Sequence, residues 1–151
     1  MRIYTLIALF ISLSSFCQEK REIPKKILEE VKIMLEKDQK NRTLLAENKN
    51  DFSKKEIDSI WRLQKTIDCK NVLRLIQIVE KYGYFHSGNS NSKEAIFAIF
   101  MHSPNKLKKK VSTLIENEKK QNRIDKGSYS LIKWHLEGRS VKDLKINIEN
   151  K

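Results

Sequence analysis

Cysteine, proline and glycine are scarce in this chain: its 151 residues include two Cys, two Pro and four Gly. Two cysteines cannot supply a Cys-rich zinc module or a framework of disulfides. The small number of Gly and Pro residues argues against a loop-rich scaffold and against a disordered linker protein. The sequence also lacks a Gly-rich phosphate loop and a Ser-centred elbow motif, so it has none of the commonest signatures of nucleotide binding and acyl transfer. The length favours a single domain.

The first residues have the order of a secretory signal peptide. Arg2 supplies a positive charge, residues 3–16 form an apolar run, and Ser15 and Cys17 are small residues at the third-last and last positions before a cut. The run is shorter than the about 20 residues that a membrane-spanning helix needs. The alternative, a lipoprotein with Cys17 as its acylated first residue, is disfavoured because the bulky Phe16 precedes it. We therefore predict export to the periplasm or beyond.

A signal peptide that ends at this point divides the chain into three parts. Its removal leaves the mature protein with one cysteine. The parts are a signal peptide, a helical domain and a tail, which span residues 1–17, 18–139 and 140–151. Cys69 is then alone in an oxidising compartment, where a buried free thiol is tolerated. Its apolar neighbours Val72 and Leu73 predict a buried structural side chain rather than a catalytic thiol.

Apolar residues recur at helical spacing along the rest of the chain. One apolar arc covers residues 23–45, and a capping box at residues 53–56 begins a second helix. This helix runs on or restarts near Asp68, and Gly83 ends it. A short helix that is apolar on every side follows, and Ser103 is predicted to cap the helix after it.

Together with a last helix over residues 125–136, these elements predict an all-α fold, a single compact bundle of about five helices. The tail, residues 140–151, alternates weakly between apolar and polar positions. This segment is either a short C-terminal edge strand or a chain end without regular structure.

Polar residues interrupt the apolar face of the first helix. On a helical wheel Asp38 and Arg42 fall inside the apolar arc, and they are four residues apart, so their side chains can pair. Such a pair is often only a weak surface contact, but the inward position favours a partly buried one. On the second helix Asn71 also faces inward, and Asp68 either shares that face or caps the helix.

Three histidines are candidates for chemistry. His135 projects into the centre of the apolar arc of its helix, His102 ends the fully apolar helix, and His86 lies in a polar loop. A histidine beside a carboxylate, here Asp38 or Asp68, is the minimum for general acid–base catalysis. Because no motif provides a serine or a thiol as nucleophile, the nucleophile would be water. The candidate catalytic residues are His102, His135 and Asp68. The histidines are too far apart in sequence for a typical zinc site, so we expect neither a metal nor another cofactor.

Lysines crowd one helix of the basic chain, at positions Lys106, Lys108, Lys109 and Lys110. A basic face favours anionic partners, such as components of the cell envelope, but it is also a common solubility device. No aromatic side chain lies among these lysines to stack on bases, so nucleic acid is disfavoured as a partner. After removal of the leader, no stable transmembrane segment is expected.

Four short motifs occur in a fixed order: residues 38–42 (Asp-Gln-Lys-Asn-Arg), residues 68–71 (Asp-Cys-Lys-Asn), Tyr82-Gly83 and His102. In this order they resemble a bacterial domain family of unknown function, number 6624, which is widespread in Bacteroidetes. The resemblance covers residues 25–136 and implies a helical domain whose shared positions are polar, but it implies no activity. The segment after these motifs departs from the family, whose members have an Asp-Arg pair and a closing Tyr-Gly-Thr-Gln, so the chain resembles a divergent member.

The sequence leads to three alternative functions. The favoured one is an exported binding or accessory module with a polar pocket, whose predicted binding residues are Asp38, Arg42, Asp68, Asn71, Tyr82 and His102. The second is a water-using hydrolase with a His–Asp acid–base pair. The third is a protein that adheres to anionic envelope polymers through its lysines. The sequence leaves open whether the chain is an enzyme.

Overall fold

The computed structural model describes residues 22–85 and 90–139, and within these ranges the protein is all-α. Its five α-helices and one short 3-10 helix confirm the predicted helical bundle. The helices are α1 Lys25–Asn48, α2 Lys54–Tyr82, α3 Ser90–Met101, α4 Asn105–Lys120 and α5 Lys126–Leu136. The predicted signal peptide, His86 and the predicted edge strand lie outside the described residues. No helix in the described ranges is long and apolar enough to cross a membrane.

A short connection joins α1 to α2 and contains the 3-10 helix Lys49–Asp51. Ser53 opens α2 through a capping box: its hydroxyl accepts the backbone N–H of Glu56, and the Glu56 carboxylate accepts the backbone N–H of Ser53 at 2.8 Å. The helix then continues unbroken for 29 residues, so Asp68 lies in its middle and caps nothing. Gly83 ends the helix with a φ of +81°, a backbone conformation that favours glycine.

α3 lies at the centre of the bundle. It packs against α1, α2 and α5, whereas α4 packs against α2 and α5. Ile96, Ile99 and Phe100 of α3 have no exposed surface, as expected of a helix that is apolar on every side. Burial of side chains of this size contributes about 1.5–3 kcal/mol each. The end of α3 is therefore held firmly in the core.

A buried carboxylate holds the turn after α2 against the second half of the bundle. Glu118 of α4 is 2% exposed, accepts the backbone N–H of Tyr84 at 2.7 Å and pairs with Arg123. Tyr84 is itself buried, and this burial raises the pKa of its hydroxyl above the ordinary value. Asp125 caps α5 by accepting the backbone N–H of Ser128 at 2.9 Å. These contacts fix the end of α2 relative to α4 and α5.

Candidate functional site

Polar residues continue the buried stripe of α1. Ile27, Val31 and Met34 are buried at spacings of four and three residues, and the next positions of this stripe are Asp38 and Asn41. Asp38 has 0% of its surface exposed. Since a stripe at this spacing faces the core, the sequence places a carboxylate where an apolar side chain is usual.

α2 presents a matching set of polar side chains. Gln64, Asp68 and Asn71 are all buried and precede the core residue Leu75 on the same stripe. Asn71 donates from Nδ2 to the backbone carbonyl of Met34 at 3.0 Å and so ties α2 to α1. Gln64 was not among the predicted site residues, although its spacing of four residues from Asp68 is the signal that could have identified it. The interface between α1 and α2 thus contains a polar layer beside its apolar one.

Asp38 contacts His102, which directly follows α3. Nδ1 of His102 lies 2.9 Å from Oδ2 and 3.1 Å from Oδ1 of Asp38. Gln39 also donates from Nε2 to Asp38 Oδ2, at 2.6 Å. Because an ionised carboxylate only accepts hydrogen bonds, His102 carries a proton on Nδ1, and Nε2 is the ring nitrogen left for a ligand or a second proton. The carboxylate orients the imidazole.

Arg42 joins the same network from α1. Its Nη2 donates to both carboxylate oxygens of Asp68 at 2.8 Å, whereas its Nε lies 3.6 Å from Oδ2 of Asp38. The predicted contact between Asp38 and Arg42 is therefore present, but the shorter ion pair of Arg42 is with Asp68. Gln64 donates from Nε2 to the backbone carbonyl of Asp38 at 3.1 Å and to Oδ1 of Asp68 at 2.7 Å. The side chain of Asp68 is only 10% exposed, so its charge depends on Arg42 as a partner.

Trp61 supports Arg42 from the solvent side. The guanidinium carbon of Arg42 lies 5.8 Å from the centroid of the indole ring, which is within the range of a cation–π interaction. Trp61 is 39% exposed. Its ring and the carboxylate of Asp68 together restrict the position of the guanidinium.

The network forms one wall of an open cleft of about 950 Å³. α2, the turn between α3 and α4, the first part of α4 and the end of α5 supply the rest of its lining. This volume is typical of a site for a small molecule. The polar and charged lining residues are Arg42, Lys65, Thr66, Asp68, Lys70, His102, Ser103, Asn105, Lys106, Lys108, His135 and Arg139.

The cleft is strongly basic. Six of its lining side chains are positively charged, and one, Asp68, is negatively charged. Asp68 is already paired with Arg42. Among the described residues no carboxylate oxygen lies within 4.0 Å of the side-chain nitrogens of the other five cations, Lys65, Lys70, Lys106, Lys108 and Arg139. A concave surface with charges of one sign concentrates ligands of the opposite sign.

α4 begins inside the cleft without a side-chain cap. The prediction that Ser103 caps this helix is wrong, because Pro104 is the N-cap residue and the hydroxyl of Ser103 instead donates to the carbonyl of Phe100 at 2.6 Å. Asn105 and Lys106 line the cleft, and their backbone N–H groups have no hydrogen-bond partner among the described residues. Such N–H groups carry partial positive charge and add to the attraction for anions.

Two residues that the sequence placed on the apolar faces of their helices line the cleft instead. His135, predicted at the centre of the apolar face of α5, is half-buried, and its Nδ1 donates to the carbonyl of Leu131 at 2.9 Å. Leu131 is 42% exposed while Ile132 is fully buried, so the buried face of α5 is rotated away from His135. Cys69, predicted to be buried beside Leu73, is half-buried in the cleft wall, and Leu73 is exposed.

Two of the predicted binding residues lie away from the cleft. Tyr82 is the last residue of α2, about 21 Å along the helix axis from Asp68, and it packs against the hydrophobic core. Asn71 lies near Asp68, but it bonds to the backbone of α1 and does not line the cleft. Of the predicted set, Arg42, Asp68 and His102 line the cleft, and the buried Asp38 lies directly behind His102.

The predicted basic face of α4 divides between two concave surfaces. Lys106 and Lys108 line the cleft, whereas Lys109 and Lys110 line a second groove together with Glu80 and, again, Lys106. Nζ of Lys110 lies 3.7 Å from Oε1 of Glu80. Lys106 is therefore shared between the two surfaces, and neither surface is lined by all four lysines.

Within residues 22–85 and 90–139, no group of three or more His, Cys, Asp or Glu side chains is arranged to hold a metal ion. Asp68 in the lining of the cleft is engaged by Arg42, and Asp38 behind it is engaged by His102.

Comparison of the chain with models of protein families, with curated proteins and with solved structures finds no match. The resemblance to a bacterial domain family therefore stays a prediction.

Proposed function

We propose that this protein binds a small anionic ligand in the basic cleft, with His102 as a central polar contact. The observation that carries the proposal is the charge of the cleft: six positive side chains line it, and after Arg42 is paired with Asp68, five of them have no carboxylate partner among the described residues. In a concave site these uncompensated charges act together on one ligand.

The buried network behind the cleft supports this proposal, because it holds two of the ligand-facing groups in place. Asp38 is fully buried and fixes the ring of His102, and Asp68 fixes the guanidinium of Arg42. Groups that are already ordered lose little conformational entropy when a ligand binds. The wall is therefore preorganised, whereas the exposed lysines supply attraction over a longer range.

Two charge-matched double variants test the proposal. Lys65→Gln/Lys106→Gln removes one cation of α2 and one of α4 that line the cleft, and Lys55→Gln/Lys109→Gln removes one cation from each of the same helices outside it. The probes are inorganic phosphate and citrate, titrated by isothermal calorimetry at constant ionic strength. We expect the cleft variant to bind about tenfold more weakly than the unmodified protein, and the control variant to change by less than about twofold. Equal weakening in both variants rejects the cleft as the binding site.

A second candidate, a hydrolase that uses water, is favoured by the pair of Asp38 and His102. In such a reaction the oxygen of a water molecule attacks the substrate, Nε2 of His102 takes the water proton, and the same proton passes to the leaving group. Asp38 stabilises the imidazolium, and the cations stabilise developing negative charge. His135 and Asp68 suit these roles less well, because His135 bonds to a backbone carbonyl and Asp68 is paired with Arg42.

The hydrolase candidate is tested with p-nitrophenyl phosphate and p-nitrophenyl acetate. We expect release of nitrophenolate to fall at least about a hundredfold in His102→Gln, and to persist in Lys55→Gln/Lys109→Gln. If the unmodified protein releases nitrophenolate from neither compound, this candidate is rejected and ligand binding remains.

We also infer that the protein acts outside the cytoplasm, on the basis of the charged, apolar and small-residue order of residues 1–17. Mass spectrometry of the protein purified from the periplasm or the medium is expected to show Gln18 as the first residue. Recovery of a cytoplasmic chain that retains residues 1–17 contradicts this inference.

A further inference from the structure

The type of hydrogen-bond donor in the cleft distinguishes between classes of anion. A carboxylate is planar, and the planar fork of an arginine recognises it best. Arg42, the arginine in the wall of the cleft, already has its Nη2 on both oxygens of Asp68. The other lining arginine, Arg139, is exposed and follows α5. The partly buried guanidinium of Arg42 is therefore already engaged by a carboxylate of the protein.

The other donors are separate N–H groups that belong to different elements of the fold. His102 offers Nε2 at the end of α3, Lys65 projects from α2, and Lys106 projects from α4. The first backbone N–H groups of α4 lie beside Lys106 and supplement these side chains. Donors that approach from several directions suit an anion with three terminal oxygens, which is the geometry of a phosphate monoester. Lysine is also a common point-charge ligand of phosphate.

The size of the cleft indicates that the anion is part of a larger molecule. Its volume of about 950 Å³ is many times that of a single water molecule, which occupies about 30 Å³ in the liquid. Cys69, Met101 and Pro104 supply less polar surface to the same lining. Small-molecule sites commonly combine such surface with a few polar groups that fix the orientation of the ligand.

We propose that the cleft binds a phosphate monoester of a small organic molecule, with the phosphate between His102, Lys65 and Lys106. This proposal rests on the anion binding proposed above and narrows it to one chemical class. A phosphate monoester carries close to two negative charges at neutral pH, whereas a carboxylate carries one, so the five cations of the cleft that lack a carboxylate partner among the described residues attract the phosphate more strongly.

The test compares glycerol 3-phosphate with glycerate, two small hydroxylated anions that differ mainly in their charged group. Binding of each is measured by isothermal calorimetry at constant ionic strength. We expect glycerol 3-phosphate to bind at least about tenfold more tightly than glycerate. His102→Gln and, separately, Lys106→Gln are each expected to weaken binding of glycerol 3-phosphate about tenfold. Lys106 is exposed, so its variant keeps the test informative if His102→Gln does not fold.

The outcomes separate this proposal from the broader one. If glycerate binds as tightly as glycerol 3-phosphate, the phosphate class is wrong while anion binding stands. If glycerol 3-phosphate, glycerate, phosphate and citrate all fail to bind, both proposals fall. If Lys55→Gln/Lys109→Gln weakens binding of glycerol 3-phosphate as much as Lys106→Gln does, the phosphate does not lie in the cleft.

A second arm distinguishes a soluble ester from a lipid headgroup. Vesicles of phosphatidylcholine with phosphatidic acid present a phosphate monoester, and vesicles with phosphatidylglycerol at the same surface charge present a diester. Preferential sedimentation with phosphatidic acid supports the proposal with a lipid as the source, and binding of glycerol 3-phosphate alone supports it with a soluble source. Equal sedimentation with both vesicles, without binding of glycerol 3-phosphate, overturns it in favour of general electrostatic adhesion.

Discussion

Nδ1 of His102 lies 2.9 Å from Oδ2 of Asp38, although the two residues are 64 positions apart in sequence. The carboxylate has no exposed surface, and removal of a charge from water costs several kcal/mol unless other groups compensate it. His102 and Gln39 donate hydrogen bonds to Asp38, and the guanidinium of Arg42 lies nearby. The contact that orients the imidazole toward the cleft is therefore also part of what stabilises the junction of α1 and α3.

A double-mutant cycle on this pair tests that dual role. We expect Asp38→Asn and His102→Gln each to lower the free energy of unfolding by about 2–3 kcal/mol. Because each substitution removes the same interaction, the double variant should lose less than the sum, with a coupling of about 1–3 kcal/mol. Urea denaturation followed by circular dichroism measures these differences.

The control for this cycle is Glu36→Gln, on an exposed position of the same helix. It should change the free energy of unfolding by less than about 0.5 kcal/mol and show no coupling to His102→Gln. Strictly additive effects of Asp38→Asn and His102→Gln contradict a direct interaction in solution.

Two arginine–carboxylate pairs between α1 and α2 differ in burial and provide a second prediction. Arg42 pairs with Asp68, whose side chain is 10% exposed. Arg74 pairs with Glu30, and their side chains are 43% and 37% exposed, respectively. Arg42→Met leaves a buried carboxylate without its partner and is expected to cost about 3 kcal/mol. Arg74→Met leaves a carboxylate that water can solvate and is expected to cost less than about 1 kcal/mol.

Chemical denaturation at neutral pH compares the two arginine variants directly, since both replace a guanidinium with an apolar group of similar length. A cost for Arg42→Met no larger than that for Arg74→Met contradicts the structural role assigned to the pair of Arg42 and Asp68.

The helices could be predicted from the sequence because their signals are local. The apolar spacing from Ile27 to Leu45 lies within α1, and Ser53 and Glu56 satisfy the first N–H groups of α2 by themselves. Ser103 shows the limit of such signals. A serine before proline resembles a cap, but its hydroxyl bonds backward to α3, and this depends on how the chain turns after Phe100.

The candidate site could be predicted only in part, because its partners come from distant positions. The helical wheel pointed Asp38 inward, but it could not show that Arg42 makes its shorter ion pair with Asp68 on another helix. It also placed His135 on the apolar face, where rotation of α5 in the bundle instead buries Ile132. The cleft itself has no counterpart in any single helix, since four segments of the chain combine to line it.

Lys133 gives a prediction for the dependence of stability on pH. Its ammonium lies 3.0 Å from Oε1 of Glu116 and 2.8 Å from Oε1 of Glu137. The hydrogen bond from Lys133 lowers the pKa of Glu116 below its ordinary value of 4.5, and the hydrogen bond to Glu137 raises the pKa of Lys133 above 10.5. A carboxyl with a lowered pKa contributes stability above its unfolded-state pKa, and this contribution is lost as the pH falls through the folded-state pKa.

We therefore expect Lys133→Met to lower the free energy of unfolding by up to about 1 kcal/mol at neutral pH, with a small value because both carboxylates are partly exposed. Below the lowered pKa of Glu116 the carboxyl is neutral in both states, so the difference between the variant and the unmodified protein should shrink. Denaturation curves of both proteins near pH 7 and well below pH 4.5 measure this difference in the free energy of unfolding. An undiminished difference in acid shows that packing of Lys133 rather than its charge is responsible.

Asn105, the first residue of α4, allows the contribution of a single backbone N–H to be tested. This N–H has no hydrogen-bond partner among the described residues, and Asn105 belongs to the lining of the cleft. Proline is well tolerated at the first position of a helix, where an N–H is unpaired in any case. Pro104 already has φ −57° and ψ 149°, the extended region that a residue before proline prefers. Asn105→Pro should therefore fold with nearly unchanged stability.

Asn105→Ala is the matched control, because it removes the same side chain but keeps the N–H. If the phosphate of a bound ester accepts this hydrogen bond, Asn105→Pro should weaken binding of glycerol 3-phosphate about tenfold, since a hydrogen bond to a charged group is worth about 1.5–3 kcal/mol. Asn105→Ala should remain within about twofold of the unmodified protein. If both variants bind glycerol 3-phosphate as tightly as the unmodified protein does, neither the backbone N–H nor the side chain of Asn105 contacts the phosphate. Equal loss in both instead assigns the contact to the side chain of Asn105, because that is the one group that both substitutions remove.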